Sequence, residues 1–280
     1  MSVKVQDLLT ILQDIAPASL AESWDNVGLL VGDRTAVVTG ILLGLDPCSL
    51  ILEEAVAAGC NLVITHHPVI FRPLKAVQTD SFPGNIISHA LQHRIALIGC
   101  HTNLDAVAGG VSDILAEALS LQAVRALIPG DTNNTAAVPC GLGRIGTCNP
   151  PITPGELINR LCRKLSPPWL LEAGPRPREV STVSVCGGSC GDFAETAWEQ
   201  GADIFITSEI KHSVARWAEE VGLWIIDGGH FATEQPAVPA LQIRLQHALD
   251  RMRISIPVHI STQMPPLTII TESILSPTTA

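Results

Sequence analysis

Short, unbroken apolar runs alternate along this chain with longer stretches whose apolar positions recur at helical spacing. The runs ILLGL, NLVIT, IALIG, DIFIT and LWIID show no polar alternation, the pattern of strands covered on both faces. The stretches SLILEEAVAAG and DFAETAWEQG read as helices of about eleven residues. They end at Gly59 and Gly201, where a helix commonly closes on a left-handed residue. Strands alternating with helices predict an α/β fold of right-handed βαβ units with a mostly parallel sheet.

The pattern occurs twice. The first copy runs GILLGLD, helix, CNLVITHHP, helix, RIALIGCHTNLD; the second runs STVSVCGG, helix, ADIFITSEI, helix, LWIIDGGHFATE. An internal duplication is therefore expected, giving two similar α/β domains. The divisions are a first repeat at 1–128, a connecting segment at 129–178, a second repeat at 179–262 and a tail at 263–280. Residues 129–155 are rich in Pro, Gly, Asn and Thr and predict loops and turns with at most one short strand. ELINRLCRKL predicts an amphipathic helix and PPWLLEAGPRPREV an irregular stretch. The polar, Pro-containing chain from Ser261 onward predicts partial disorder.

The duplication makes a functional argument. Ligands of open α/β sheets sit beyond the carboxyl ends of the strands. NLVIT ends in His66-His67, and IALIG leads into His101 and Asp105. DIFIT ends in Ser208-Glu209, and LWIID leads through Gly228-Gly229 into His230 and Glu234. HTNLD and HFATE thus occupy equivalent places, and two facing half-sites would gather four imidazoles and two carboxylates. That donor set suits divalent Zn, Fe, Mn, Co or Ni. A carboxylate can bridge two such ions, which activate water and polarise the bond under attack.

We take His66, His67, Asp105, His230 and Glu234 as the candidate metal ligands. The competing reading makes Asp105 and Glu234 helix-start acids. His101 can ligate, relay protons or bind substrate; with Glu209 it is a candidate acid–base residue. Asp227 is expected to orient a neighbour. Asp25 and Asn26 in the WDNVG turn can face the cleft, and Arg72 and Lys75 are candidates to receive a phosphate. Lys211 and His212 read equally as a substrate edge or a solvated helix start.

With 280 residues, 46% of them apolar and 16% charged, the chain can bury a large core. Its net charge of −10 argues against general nucleic-acid binding. No secretory signal pattern or long apolar span is present, so a cytoplasmic protein with no membrane contact is expected. The eight scattered cysteines, Cys186 and Cys190 included, read as reduced thiols in poor zinc spacing. No P-loop occurs.

Together WDNVGLLVGD, ITHHP, HTNLD, GADIFITSEIKH and GGHFATE resemble the GTP cyclohydrolase 1 type 2 homologues, or Nif-three-like proteins. The resemblance spans about residues 20 to 245 and implies two interlinked α/β domains with a dinuclear site between them. It implies the same five ligands, with His101 at the site, and a homo-oligomer, a ring-shaped hexamer. The chain resembles the short form, without a large inserted domain. It departs from the pattern at KHSVAR and at QPAVPALQIRL. The function expected is metal-dependent hydrolysis of a small molecule or nucleotide, the latter implied by the cyclohydrolase label. The alternative is a non-enzymatic metal-binding, assembly or regulatory protein.

Overall fold

The computed structural model describes residues 2–130 and 140–269. Eleven strands are β1 (Gly28–Val31), β2 (Ile41–Gly44), β3 (Leu62–Thr65), β4 (Ala96–Gly99), β5 (Gln122–Pro129), β6 (Gly141–Ile152), β7 (Leu171–Ala173), β8 (Val180–Val185), β9 (Ile204–Thr207), β10 (Trp224–Asp227) and β11 (Val258–Ile260). The α-helices are α1 (Val5–Ile15), α2 (Ser49–Ala57), α3 (Gly84–Gln92), α4 (Thr102–Ala106), α5 (Val111–Ala118), α6 (Pro154–Leu165), α7 (Ala194–Glu199), α8 (His212–Val221), α9 (His230–Glu234) and α10 (Ala237–Arg251).

The strands build two sheets, ordered β1-β4-β3-β2-β11 and β5-β6-β8-β9-β10-β7. Every residue of β2, β3, β4, β9 and β10 is buried, as their unbroken apolar runs require. Alternate side chains serve opposite faces. Leu43, Ile64 and Ile98 pack with α1 and α10, whereas Leu42, Val63 and Leu97 pack with α2 and α3. In the second sheet, Ile204, Ile206, Trp224 and Ile226 pack with α6, whereas Phe205 and Ile225 face α7 and α8. Gly59 and Gly201 follow α2 and α7 with φ of +68° and +80°, the left-handed closure expected of them. α6 takes its Thr153 cap, whose side chain accepts from the Glu156 N–H. Among the described residues no helix is long and apolar enough to cross a membrane.

Three expectations need correction. The first sheet is parallel apart from β1, but the second is mixed: only β8-β9-β10 run parallel, and β5, β6 and β7 pair antiparallel. The described part of residues 129–155 is not chiefly loop, because β6 is a twelve-residue strand bonded to both β5 and β8; residues 131–139 of that expectation lie outside the described residues. Its glycines signal close packing rather than turns. A Cβ at Gly146 would lie 2.9 Å from Gln122 O and 3.1 Å from Leu121 Cβ. β7 likewise lies within the stretch read as irregular.

The expected domain boundaries also do not follow the sheets. β6 and β7, from the connecting segment, join the second sheet, while α10 and β11, from the second repeat, return to the first. Main-chain pairing decides this, which residue types do not encode. The tail is tied down at its start: Gln263 Oε1 accepts from the Leu45 N–H at 2.9 Å, and Glu54 receives the Thr262 N–H at 3.0 Å. The rest of that expectation, from residue 270, lies outside the described residues.

Candidate metal centre

All the candidate ligands follow carboxyl ends of parallel strands. After β3 the chain breaks at Pro68, so the adjacent His66 and His67 both reach one cluster, their ring centroids 5.0 Å apart. In a continuing strand they would point to opposite faces. After β4, His101 caps α4 and Asp105 lies one turn further on. After β10, α9 carries His230 and Glu234 at i and i+4, hence on one face. Asp227 shapes this end: its carboxylate receives the Ile210 N–H at 3.1 Å and the Gly229 N–H at 3.0 Å. Glu209 sits at φ +56°, a left-handed backbone unusual outside glycine, and its side chain meets His230.

Four imidazoles are anchored alike. The Nδ1 of His66 donates to the Cys100 carbonyl at 2.9 Å. The Nδ1 atoms of His67, His101 and His230 pair with Asp46, Asp25 and Glu209 at 2.7, 2.8 and 2.8 Å. With Nδ1 occupied, each ring offers Nε2 to the interior, the arrangement in which an outer acceptor orients a metal-binding histidine. The Nε2 atoms of His67 and His230 face each other at 3.2 Å.

The Glu234 carboxylate lies among these rings. Its Oε1 is 3.7 Å from His66 Nε2, and its Oε2 is 3.1 and 3.0 Å from Nε2 of His67 and His230. Even so, His66 Nε2, Asp105 Oδ1 and Glu234 Oε2 are buried without a well-formed hydrogen bond. Orphaned atoms of this kind are expensive in an interior unless something outside the protein satisfies them. Two overlapping groups have donor atoms close enough to hold a metal ion: His66, His67 and His101, and His67, His230 and Glu234.

The charge balance favours a cation. Burial works against protonating His67 and His230, but Glu234, with Asp46 and Glu209, outweighs it and raises their pKa to about 10 and about 9. Burial likewise opposes a charge on His66, and Asp105 and Glu234 again reverse the effect. Glu234 is held well below the usual carboxylate range by the three histidines despite its burial. Burial pushes Asp105 up.

Two cavities open onto the cluster, and His67 and His230 line both. The larger, about 430 Å³, is walled by Trp24, Phe71 and Phe193 with His101 and Asp105. The smaller, about 230 Å³, is walled by Trp169, Pro265 and Glu209. Neither has a lysine or arginine in its lining. Arg72 and Lys75 stand outside both and are exposed. Lys211 pairs with Asp192 on the surface, and His212 lies away at the start of α8. Asn26 bonds the Ile70 carbonyl, while Asp25 holds His101 and the Thr102 N–H.

The sequence reading passed over Asp46 and Trp169. Asp46 follows the ILLGL run and was legible by the strand-end rule that found the other acids. Trp169 had no such signal, because only tertiary packing brings its ring against Gly229.

Two sheets whose strand ends pool imidazoles and carboxylates define this as an α/β protein with a candidate metal centre. The chain belongs to the Duf34/NIF3 (NGG1p interacting factor 3) family, whose model matches residues 3–266. It is 35% identical over 261 residues to a GTP cyclohydrolase 1 type 2 homolog of Clostridium acetobutylicum, covering 93% of this chain and 96% of that one. Against the protein of that name from Streptomyces coelicolor, identity is 34% over 261 residues, 92% and 91% of the two chains. The crystal structure of Staphylococcus aureus protein SA1388 superposes with a TM-score of 0.88 at 30% identity, over 96% of this chain and all of that one.

Proposed function

We propose that the cluster holds two divalent metal ions and that the protein hydrolyses a small molecule beside them. The observation that carries this is the common anchoring of the four imidazoles around three buried, unsatisfied atoms. His66 and Asp105 would serve one ion, and His67 and His230 the other. Glu234 would stand between, since its two oxygens face different histidines. Bound there, the ions would supply Lewis-acid activation of water and of the bond under attack. The parallel triplets β2-β3-β4 and β8-β9-β10 support an internal duplication with the centre in the cleft between its halves.

His101, oriented by Asp25, is placed to carry a proton at the wall of the larger cavity if it does not ligate. Glu209 orients His230, and its partly exposed carboxylate adjoins the smaller cavity. Cavities reaching the cluster favour an enzyme over a metal store. With no lysine or arginine in their walls among the described residues, the triphosphate of GTP would meet no ammonium or guanidinium group, so the substrate we favour carries little negative charge. A homohexamer and a cytoplasmic setting belong to the same proposal, and light scattering tests the former.

The test is hydrolysis by metal-loaded protein across a panel of uncharged heterocycles and amides, with GTP alongside. Turnover of an uncharged member, abolished by chelation and reduced in His101→Gln, is expected. A fully loaded protein inert across the panel would overturn the hydrolase reading in favour of a metal-binding role without catalysis.

A further inference from the structure

The loop between β8 and α7 carries two thiols to the edge of the metal cluster. Cys186 and Cys190, with three residues between them on this loop, both line the larger cavity. Cys190 Sγ also donates to the Gly187 carbonyl at 3.3 Å, folding back over its own loop. The residues between them press on the candidate ligands. A Cβ at Gly188 would lie 2.0 Å from Glu234 Oε1 and 3.4 Å from His230 Nε2, and one at Gly187 would lie 3.4 Å from Glu234 Cγ. The Gly188 N–H bonds Thr233 Oγ1 at 3.1 Å, tying the loop to α9. The backbone spanning the thiols is therefore the wall against which the Glu234 carboxylate is set.

We propose that Cys186 and Cys190 form an oxidisable dithiol whose closure to a disulfide by a peroxide weakens metal binding at the adjacent centre. The step balances within the named reactants. Both S–H bonds break and one S–S bond forms. The peroxide O–O bond is cleaved, and two electrons pass from the sulfurs to its oxygens. With hydrogen peroxide the two hydrogens leave as part of two waters. Closure draws the two sulfurs to a bond of about 2.05 Å. Cys190 Sγ must then leave Gly187 O, and the loop shifts against Glu234, whose Oε1 stands 2.0 Å from where a Gly188 Cβ would lie.

The inference rests on the metal reading for its consequence but not for the bond itself. Metal-loaded full-length protein and Cys190→Ser are treated with hydrogen peroxide over hours. Both are then mapped by non-reducing peptide mass spectrometry and titrated with a competing chelator. A Cys186–Cys190 linked peptide, reversed by dithiothreitol, is expected in the wild type. Its metal affinity should fall about 10–100-fold, as when a group supporting metal ligands is lost, while Cys190→Ser keeps the affinity it had before oxidant. The proposal fails if the two thiols remain reduced or oxidise only singly. It fails equally if the disulfide forms with affinity unchanged, or if Cys190→Ser loses metal to peroxide as the wild type does. A protein that binds no metal before oxidation sinks the metal reading, and the peptide map still decides whether the dithiol closes.

Discussion

Replacing Gly188 by alanine isolates the contact between the β8–α7 loop and Glu234. The added methyl would lie 2.0 Å from Glu234 Oε1, so loop or carboxylate must move by about 1 Å or more to reach van der Waals separation. Gly188 also has φ +70°, and alanine there costs about 1–2 kcal/mol from backbone alone. Gly201 provides the matched control: its φ is +80°, and nothing stands within 4 Å of an added Cβ. Both variants should therefore lose the backbone increment, a fall in Tm of roughly 2–4 °C per kcal/mol in a domain this size. Only Gly188→Ala should also lose metal affinity, by about 10–100-fold, because only it displaces a candidate ligand. Thermal melts with and without metal, beside chelator-competition titrations, read the two effects separately. Equal metal affinity in Gly188→Ala and Gly201→Ala would refute the reasoning.

Asp46→Asn leaves His67 without its anionic partner, and a roughly tenfold or greater drop in metal affinity is expected by chelator competition; an unchanged affinity would remove Asp46 from the centre. In the metal-free protein His67 and His230 have pKa values raised to about 10 and about 9, above the unfolded value near 6.5. Their stabilisation is complete below pH about 6.5 and is lost as pH rises through 9–10, so the metal-free Tm should fall over that range. Affinity for added metal should rise over the same interval as protons cease to compete, and a flat profile in both titrations would contradict the charge balance derived above. Away from the site, Asp113→Ala strands the buried Arg144 guanidinium, which the carboxylate holds at 2.5 and 2.8 Å; a loss of about 3–5 kcal/mol is expected from urea denaturation.

The parallel cores and the cluster were legible because each rests on a local signal. An unbroken apolar run marks a strand buried on both faces, and a polar residue directly after it marks a strand end that ligands can reach. His66 and His67 were found that way, and His101, Asp105, His230 and Glu234 from the matching HTNLD and HFATE spacings of the two repeats; the structure draws them together. Asp46 met the same criterion and was missed because no second motif drew attention to it. β6 was hidden because its glycines read as turns, whereas they are where β5 and its neighbours press closest. The return of α10 and β11 to the first sheet had no signal at all, since pairing partners are fixed by main-chain hydrogen bonds. Cys186 and Cys190 looked inert from spacing, and only their shared cavity with Glu234 and His230 gives them a context.

The central claim is that Glu234 joins two metal positions, and elemental analysis of purified, metal-supplied protein beside Glu234→Ala tests it most directly. Close to two ions per chain in the wild type, with a large loss in the variant that nonetheless folds, is the predicted result. A wild type that takes up no metal, or a Glu234→Ala protein that retains its full complement, would contradict the account.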